Sequence, residues 1–327
     1  MIDNVDLNQI IRPIRPELKI FNRHFRRAMR SKVPFVDIIA RYIIRQKGKK
    51  IRPLLVLLSA DLCGGINENT YRGAALVEIL HTATLIHDDV VDGADTRRGL
   101  ASINAVWKNK VAVLMGDYLY AKGLLISLEH NDFPFLQIIS NAVKRMSEGE
   151  ILQIAKSRQL DIDEKTYFSI IADKTASLFS TCCEIGAASA ARDESVHARM
   201  RMFGEHAGMA FQIRDDVLDY VGRKSMTGKP KGLDLSEKKL TLPLIYSLRK
   251  APKGNARQII RIVKDGGGRK GLNAIVDFAF EYGGIDYSEK KAAHYAHLAK
   301  QTISSFPESR SKSALLTIVD FVAERKK

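Results

Sequence analysis

Two short acidic stretches carry residue types able to do chemistry. Residues 84–99 read TLIHDDVVDGADTRRG, and residues 211–220 read FQIRDDVLDY. Each places three aspartates at i, i+1 and i+4 behind apolar residues: Asp88, Asp89 and Asp92, then Asp215, Asp216 and Asp219. With 22 aspartates in 327 residues, chance gives about 0.1 such patterns, so coincidence is a weak account of two. In a helix the first and third acids of each stretch share a face one turn apart, and the middle one lies about 100° round. Carboxylates, with a reference pKa of about 3.9, repel one another there, and at a helix C-terminus they also oppose the dipole. At an effective dielectric of about 20, two such charges about 4 Å apart cost about 4 kcal/mol, so a partly buried cluster requires a cation. Hard oxygen donors without clustered His or Cys favour Mg²⁺, which keeps waters and is commonly shared with substrate phosphates. The expected ligand is a phosphorylated small molecule.

The elements that must hold these acids are helical. Residues 71–92, YRGAALVEILHTATLIHDDVVD, are apolar nearly all round and follow Asn69 or Thr70 as a cap, the pattern of a helix buried among others. Breakers fall at CGGINENT, HNDFP, GKPKG, KAPKGN, DGGGRKG, YGGIDYS and SFPES, leaving helical runs of roughly 10 to 28 residues and almost nothing that alternates with period two. An all-α fold follows. No fixed-period repeat and no Ser/Pro-rich linker divides the chain, so residues 1–327 are expected to form a single domain. The GGG at Gly266 to Gly268 lacks the Lys-Ser/Thr ending of a phosphate loop and reads as a connector.

Composition narrows the function classes. Hydrophobic residues at 45% and charged residues at 27% suit a soluble globular protein, and no run approaches about 18 consecutive apolar residues. The start mixes acids, bases and prolines where a secretory signal needs an apolar core, which predicts a cytoplasmic protein. Cys63, Cys182 and Cys183 offer neither a disulfide framework nor CxxC spacing and read as core thiols. The net charge of +15 calls for a negatively charged partner, and nucleic acid, a membrane surface and phosphorylated small molecules all satisfy it. Binding of nucleic acid would leave six clustered aspartates without purpose, because a phosphate backbone repels them.

The chain resembles the trans-isoprenyl diphosphate synthases over most of its length. The likeness rests on GKKIRP at 48–53, LHTATLIHDDVVDGADTRRG at 80–99, GDYLYAKG at 116–123, EGEILQ at 148–153, DKTASL at 173–178, FQIRDDVLDY at 211–220 and GKPKGLDLSEKKLTLPL at 228–244, in that order. The resemblance implies a helical barrel around a deep cleft, with the two acidic motifs facing each other and Mg²⁺ bridging them to an allylic diphosphate. It assigns metal binding to Asp88, Asp89, Asp92, Asp215, Asp216 and Asp219, directly or through water. Lys174, Lys229 and Arg97 would neutralise the same diphosphate, with Thr175 and Gln212 beside it. Isopentenyl diphosphate would rest on Lys49, Arg52, His81 and Arg98 in a metal-free basic pocket. Lys239 is carried over too, although its usual Gly neighbour is replaced by Lys238. Asp234 is an outer partner of the metals or a structural acid, RKSMTGKPKG reads as a closing loop, and Asp95, Asp117 and His87 carry no catalytic role.

The same resemblance implies product length. Bulky aromatics four or five positions before the first aspartate floor the pocket in short-chain members, and here those positions hold Thr84 and Ala83. The expectation is a long-chain synthase of the heptaprenyl to decaprenyl class, similar to those that make quinone side chains. The alternatives are a farnesyl or geranylgeranyl synthase and, further off, a class I terpene cyclase, which would have no use for GKKIRP and RRG. A homodimer and a weak peripheral contact with membrane are implied as well.

Overall fold

The computed structural model describes residues 11–46, 48, 50–160, 162–224, 240–265 and 268–324. Among them the chain is all-α: α1 (Arg15–Met29), α2 (Pro34–Arg45), α3 (Ile51–Cys63), α4 (Glu68–Val91), α5 (Ile103–Glu129), α6 (Phe133–Gln159), α7 (Glu164–Ile171), α8 (Ser177–Ala190), α9 (Glu194–Lys224), α10 (Leu242–Lys250), α11 (Lys253–Lys264), α12 (Gly268–Glu281), α13 (Gly284–Thr302) and α14 (Arg310–Glu324). Strands β1 (Thr96–Arg97) and β2 (Leu100–Ala101) pair as a minimal hairpin between α4 and α5. The chain groups into two compact units, one of Met1–Ser140, Thr181–Arg201 and Phe306–Leu315, the other of Asn141–Ser180, Met202–Ser305 and Leu316–Lys327.

In the first unit α3 buries every residue from Pro53 to Ala60 and α4 is buried almost continuously from Thr70 to His81, as their all-round apolar sequences require. The start of α4 differs from the expected cap. Asn67 is the N-cap, its side chain accepting from the Asn69 and Thr70 amides at 2.8 and 3.2 Å, and Thr70 returns a bond to the Asn67 amide. This capping box satisfies donors that would otherwise be orphaned at the helix end. On α5, Gly116 and Gly123 recur at seven residues and meet His87 and Leu80 of α4, also seven apart. A Cβ on Gly116 would lie 2.2 Å from His87 Nε2, so glycine lets the His87 ring rest against the α5 backbone. The glycines of GDYLYAKG thus set the distance at which α5 passes the end of α4 that carries the first acidic triad.

Helix α5 is long and apolar enough to cross a bilayer by length and composition, with one third of its most apolar window buried. No uninterrupted apolar run marks it in the sequence, because Asp117 and Lys122 stand within it. Its other face supplies Ala112, Met115 and Leu119 to the core.

The second unit packs α7, α9, α10, α11, α12 and α13 around Tyr167, Ile213, Val217, Tyr220, Leu242 and Ile275. Between α7 and α8 the chain widens into a π-helical turn, Ala172–Ala176, and such turns recur at functional positions.

Candidate active site

The first triad sits on the last turn of α4, with Asp92 as C-cap. Its three carboxylates are not equivalent. Asp88 and Asp92 are exposed, whereas Asp89 is 3% exposed and accepts a hydrogen bond from Arg97 Nε at 2.8 Å and a second from Arg97 Nη2. The cation demanded by the buried carboxylate of Asp89 is therefore supplied by the protein. Arg97 is placed by the β1–β2 hairpin, whose two-residue turn, Arg98–Gly99, has φ of 50° and 79°. Positive φ at both turn residues is the signature of a type I′ turn, and it presents RRG as two cations side by side.

Those cations line a pocket of the first unit together with Asn22, Arg26, Gly48, Lys50, Glu78 and Asp89. Lys50 caps α3 in the left-handed region, φ 49°, and its ammonium donates to Asn22 Oδ1. A Cβ on Gly48 would fall 2.5 Å from Arg98 Nη1, so the glycine of GKKIRP lets the guanidinium lie against backbone. Arg52 and His81 lie within the same charge cluster. Burial lowers the His81 pKa well below the imidazole range, and Arg52, Arg98 and Arg97 push it down further, which keeps the ring neutral. Burial raises the Glu78 pKa, and Arg52, Arg98 and Lys50 pull it back. Arg52 Nε and His81 Nδ1 are buried without a hydrogen-bond partner among the described residues. Polar atoms left in that state are costly unless a ligand satisfies them. Cations, a neutral imidazole and two orphaned nitrogens fit a diphosphate.

The second triad sits on α9 and repeats the arrangement of the first. Asp215 is exposed and Asp219 half-buried. Asp216, 3% exposed, accepts from Tyr167 Oη and from Gln212 Nε2, each at 2.7 Å. Gln212 accepts in turn from Thr175 Oγ1 at 2.8 Å, which joins the π turn to the triad. Lys174, also in that turn, donates to Gln153 Oε1 at 2.7 Å and pairs with Glu150, both from EGEILQ. Asp173 is held by Arg145 at 2.8 Å, and Arg145 also reaches Glu205 at 3.3 Å.

Asp89 and Asp216 are held by protein donors, because each faces the inside of its own helix packing. Asp88, Asp92 and Asp215 are exposed and Asp219 is half-buried, and hard carboxylate oxygens of this kind fit Mg²⁺, bound directly or through water. Among the described residues no three His, Cys, Asp or Glu side chains cluster closely enough to hold an ion unaided. Lys49, Lys229, Lys239, Asp234 and the loop RKSMTGKPKG beyond its first two residues lie outside the described residues. Glu78, Lys50, Asn22 and Tyr167 went unmarked in the sequence; a lone acid in an apolar helix, one turn before His81, was the signal for Glu78.

An all-α chain with two DDxxD triads and a cationic pocket has the donor set of a protein that handles diphosphates. The Polyprenyl synthetase family model matches residues 33–277. The chain is 35% identical to the all-trans-nonaprenyl-diphosphate synthase (geranyl-diphosphate specific) of Rhodobacter capsulatus, over 98% of this chain and 99% of that protein. Among crystal structures, it is similar to a polyprenyl synthase from Caulobacter crescentus CB15 complexed with calcium and isoprenyl diphosphate, at 33% identity and a TM-score of 0.89, covering 98% of each chain. It is also similar to a decaprenyl diphosphate synthase from Rhodobacter capsulatus, at 31% identity and a TM-score of 0.92, covering 98% of this chain and 100% of that one. The chain belongs to the polyprenyl synthetase family and is a prenyltransferase.

Proposed function

We propose that this chain is a long-chain all-trans polyprenyl diphosphate synthase, which adds isopentenyl diphosphate head to tail onto an allylic diphosphate primer in successive Mg²⁺-dependent cycles. The observation that carries the reading is the cationic pocket beside the first triad, lined by Arg26, Lys50, Arg97 and Arg98. The family match runs through both compact units, which supports a single polyprenyl synthetase domain. Mg²⁺, when bound, offsets the charge of the departing diphosphate.

When Mg²⁺ is bound, Asp88, Asp89, Asp92, Asp215, Asp216 and Asp219 would hold it, directly or through water, and Arg97, Lys174, Thr175 and Gln212 would bind the allylic diphosphate. Lys50, Arg52, Arg98 and neutral His81 would bind isopentenyl diphosphate, whose double bond is the nucleophile. The allylic C–O bond breaks, the alkene forms the new C–C bond, and one proton passes to the released diphosphate. No side-chain nucleophile is required; fixed charge and exclusion of water carry the step. Long products follow from the small side chains Ala83 and Thr84 ahead of the triad and accord with the nonaprenyl and decaprenyl products named for the relatives. A homodimer is proposed through the exposed apolar face of α5.

The test is incubation of the purified protein with isopentenyl diphosphate, Mg²⁺ and an allylic primer, followed by mass analysis of the released prenyl alcohols. Heptaprenyl to decaprenyl products, lost with chelator, are expected. Farnesyl or geranylgeranyl alcohol alone would reassign the chain to the short-chain class, and turnover in chelator would sink the metal assignment.

A further inference from the structure

One surface of the first unit is unused by this chemistry. The turn from α1 into α2 exposes three large apolar side chains within six residues, Val33, Phe35 and Ile38, each at 50–55%. Around them stand Arg26, Arg27, Arg30, Lys32, Arg41 and Arg45, all exposed. The one acid between residues 26 and 45 is Asp37. It is buried, accepts from Arg41 Nε at 2.8 Å and from the Ser31 amide at 3.4 Å, and is a single negative charge set against Arg41 and Arg30. Arg26, Arg30, Arg41 and Arg45 rim a groove floored by Met29, Ala40 and Ile44. Arg26 and Ile44 also line the diphosphate pocket, so the two features are neighbours.

We propose that this face docks on an anionic phospholipid bilayer. Single exposed apolar residues need no explanation, but a cluster ringed by like charge does. Six cations attract an anionic leaflet at about 1 kcal/mol each near its surface, and Phe35, Ile38 and Val33 gain by entering the headgroup boundary. The long aliphatic stems of the arginines allow their charges to stay at phosphate level while the stems follow the apolar groups inward. Other occupants fit less well. A two-fold contact with a second copy would set the six cations against themselves. Nucleic acid would engage the charges and leave the apolar cluster in water. The inference rests on the long-chain reading for its purpose, because a polyprenyl tail leaves the enzyme for a bilayer more readily than for water.

The experiment is co-sedimentation of the full chain with vesicles of phosphatidylcholine alone and of an equimolar mixture with phosphatidylglycerol, at low and high salt. Wild type is expected to pellet with the mixture and to bind phosphatidylcholine, or the mixture in high salt, about tenfold less. Arg30→Glu with Arg45→Glu, and separately Phe35→Ser with Ile38→Ser, are expected to weaken binding about tenfold, while Arg30→Lys with Arg45→Lys retains it. Prenyl transfer in detergent and the sedimentation coefficient are expected to stay at wild-type values for all three variants. No preference for the anionic vesicles, wild-type binding by both disruptive variants, or a changed oligomeric state would overturn the proposal. Product analysis of the same preparations separates the two readings: vesicle binding with only short products leaves the docking face standing and removes the long-chain assignment.

Discussion

At the scale of single residues, each acidic triad divides its labour. The middle carboxylate is sunk into protein and bonded there, by Arg97 in one triad and by Tyr167 and Gln212 in the other, while Asp88, Asp92 and Asp215 are exposed and Asp219 is half-buried. Spacing alone treats the three acids alike. Asp89 is met by a residue eight positions ahead, and Asp216 by Gln212 one turn back on its own helix and by Tyr167 forty-nine positions behind, so tertiary packing shares the decision. Glu78 is the other acid that packing defines. It is 8% exposed, one turn before His81, and burial raises its pKa above the ordinary 4.5 despite Arg52, Arg98 and Lys50. A carboxyl with a raised folded pKa contributes stability fully present below the unfolded value and lost as pH rises through the folded one. Glu78→Gln removes that titration. The melting temperature of the variant, relative to wild type, is therefore expected to rise between about pH 5 and about pH 8, as measured by thermal melts across that range. A gap independent of pH would show that Glu78 does not change its ionisation on folding.

At the scale of the element, α4 places the residues proposed to set product length one turn ahead of the acids proposed to hold the primer. The two positions are not interchangeable. Ala83 is 1% exposed and packed, so a phenylalanine there would overpack the core at a cost of about 1–3 kcal/mol. Thr84 is half-buried, with its hydroxyl donating to the His81 carbonyl at 2.9 Å, and has room to grow. Thr84→Phe is expected to shorten the prenyl chain by several isoprene units with little change in melting temperature, whereas Ala83→Phe shortens it and destabilises. An unchanged product distribution for Thr84→Phe, read by mass spectrometry, would remove the pocket-floor role. Most helices were legible because Gly and Pro mark their ends, as at CGGINENT, KAPKGN and SFPES. The breaks before α7 and α9 were not, because there the helices restart on Asp163 and Asp193, whose carboxylates take the Thr166 and Ser195 amides. The π turn and the hairpin around Arg98 were invisible for the same kind of reason. Both depend on backbone states, a widened turn and a left-handed arginine, that composition does not encode.

At the scale of the whole molecule, the face of α5 turned away from α4 remains to be covered. Leu114, Leu125 and Leu128 are exposed along it, at 58%, 53% and 48%, and Phe133 begins α6 beyond them. Spacings of 11 and 3 residues keep the three leucines on one helical face. The same composition suits a membrane span, but the opposite face is cut by Gly116 and Gly123 to fit His87 and Leu80, a complementarity that ties α5 into a helical core. A two-fold contact would bury each leucine twice, at about 1.5–3 kcal/mol per side chain, and the face carries few charges to oppose its own copy, unlike the arginine-rich turn at α2. Leu114→Glu with Leu125→Glu would set four carboxylates into that contact. The wild-type chain is expected to sediment as a dimer at micromolar concentration and the double variant as a monomer, with a dissociation constant raised at least about a hundredfold. A monomeric wild type would exclude the contact, and a wild type extracted only by detergent, not by high salt, would return α5 to the bilayer.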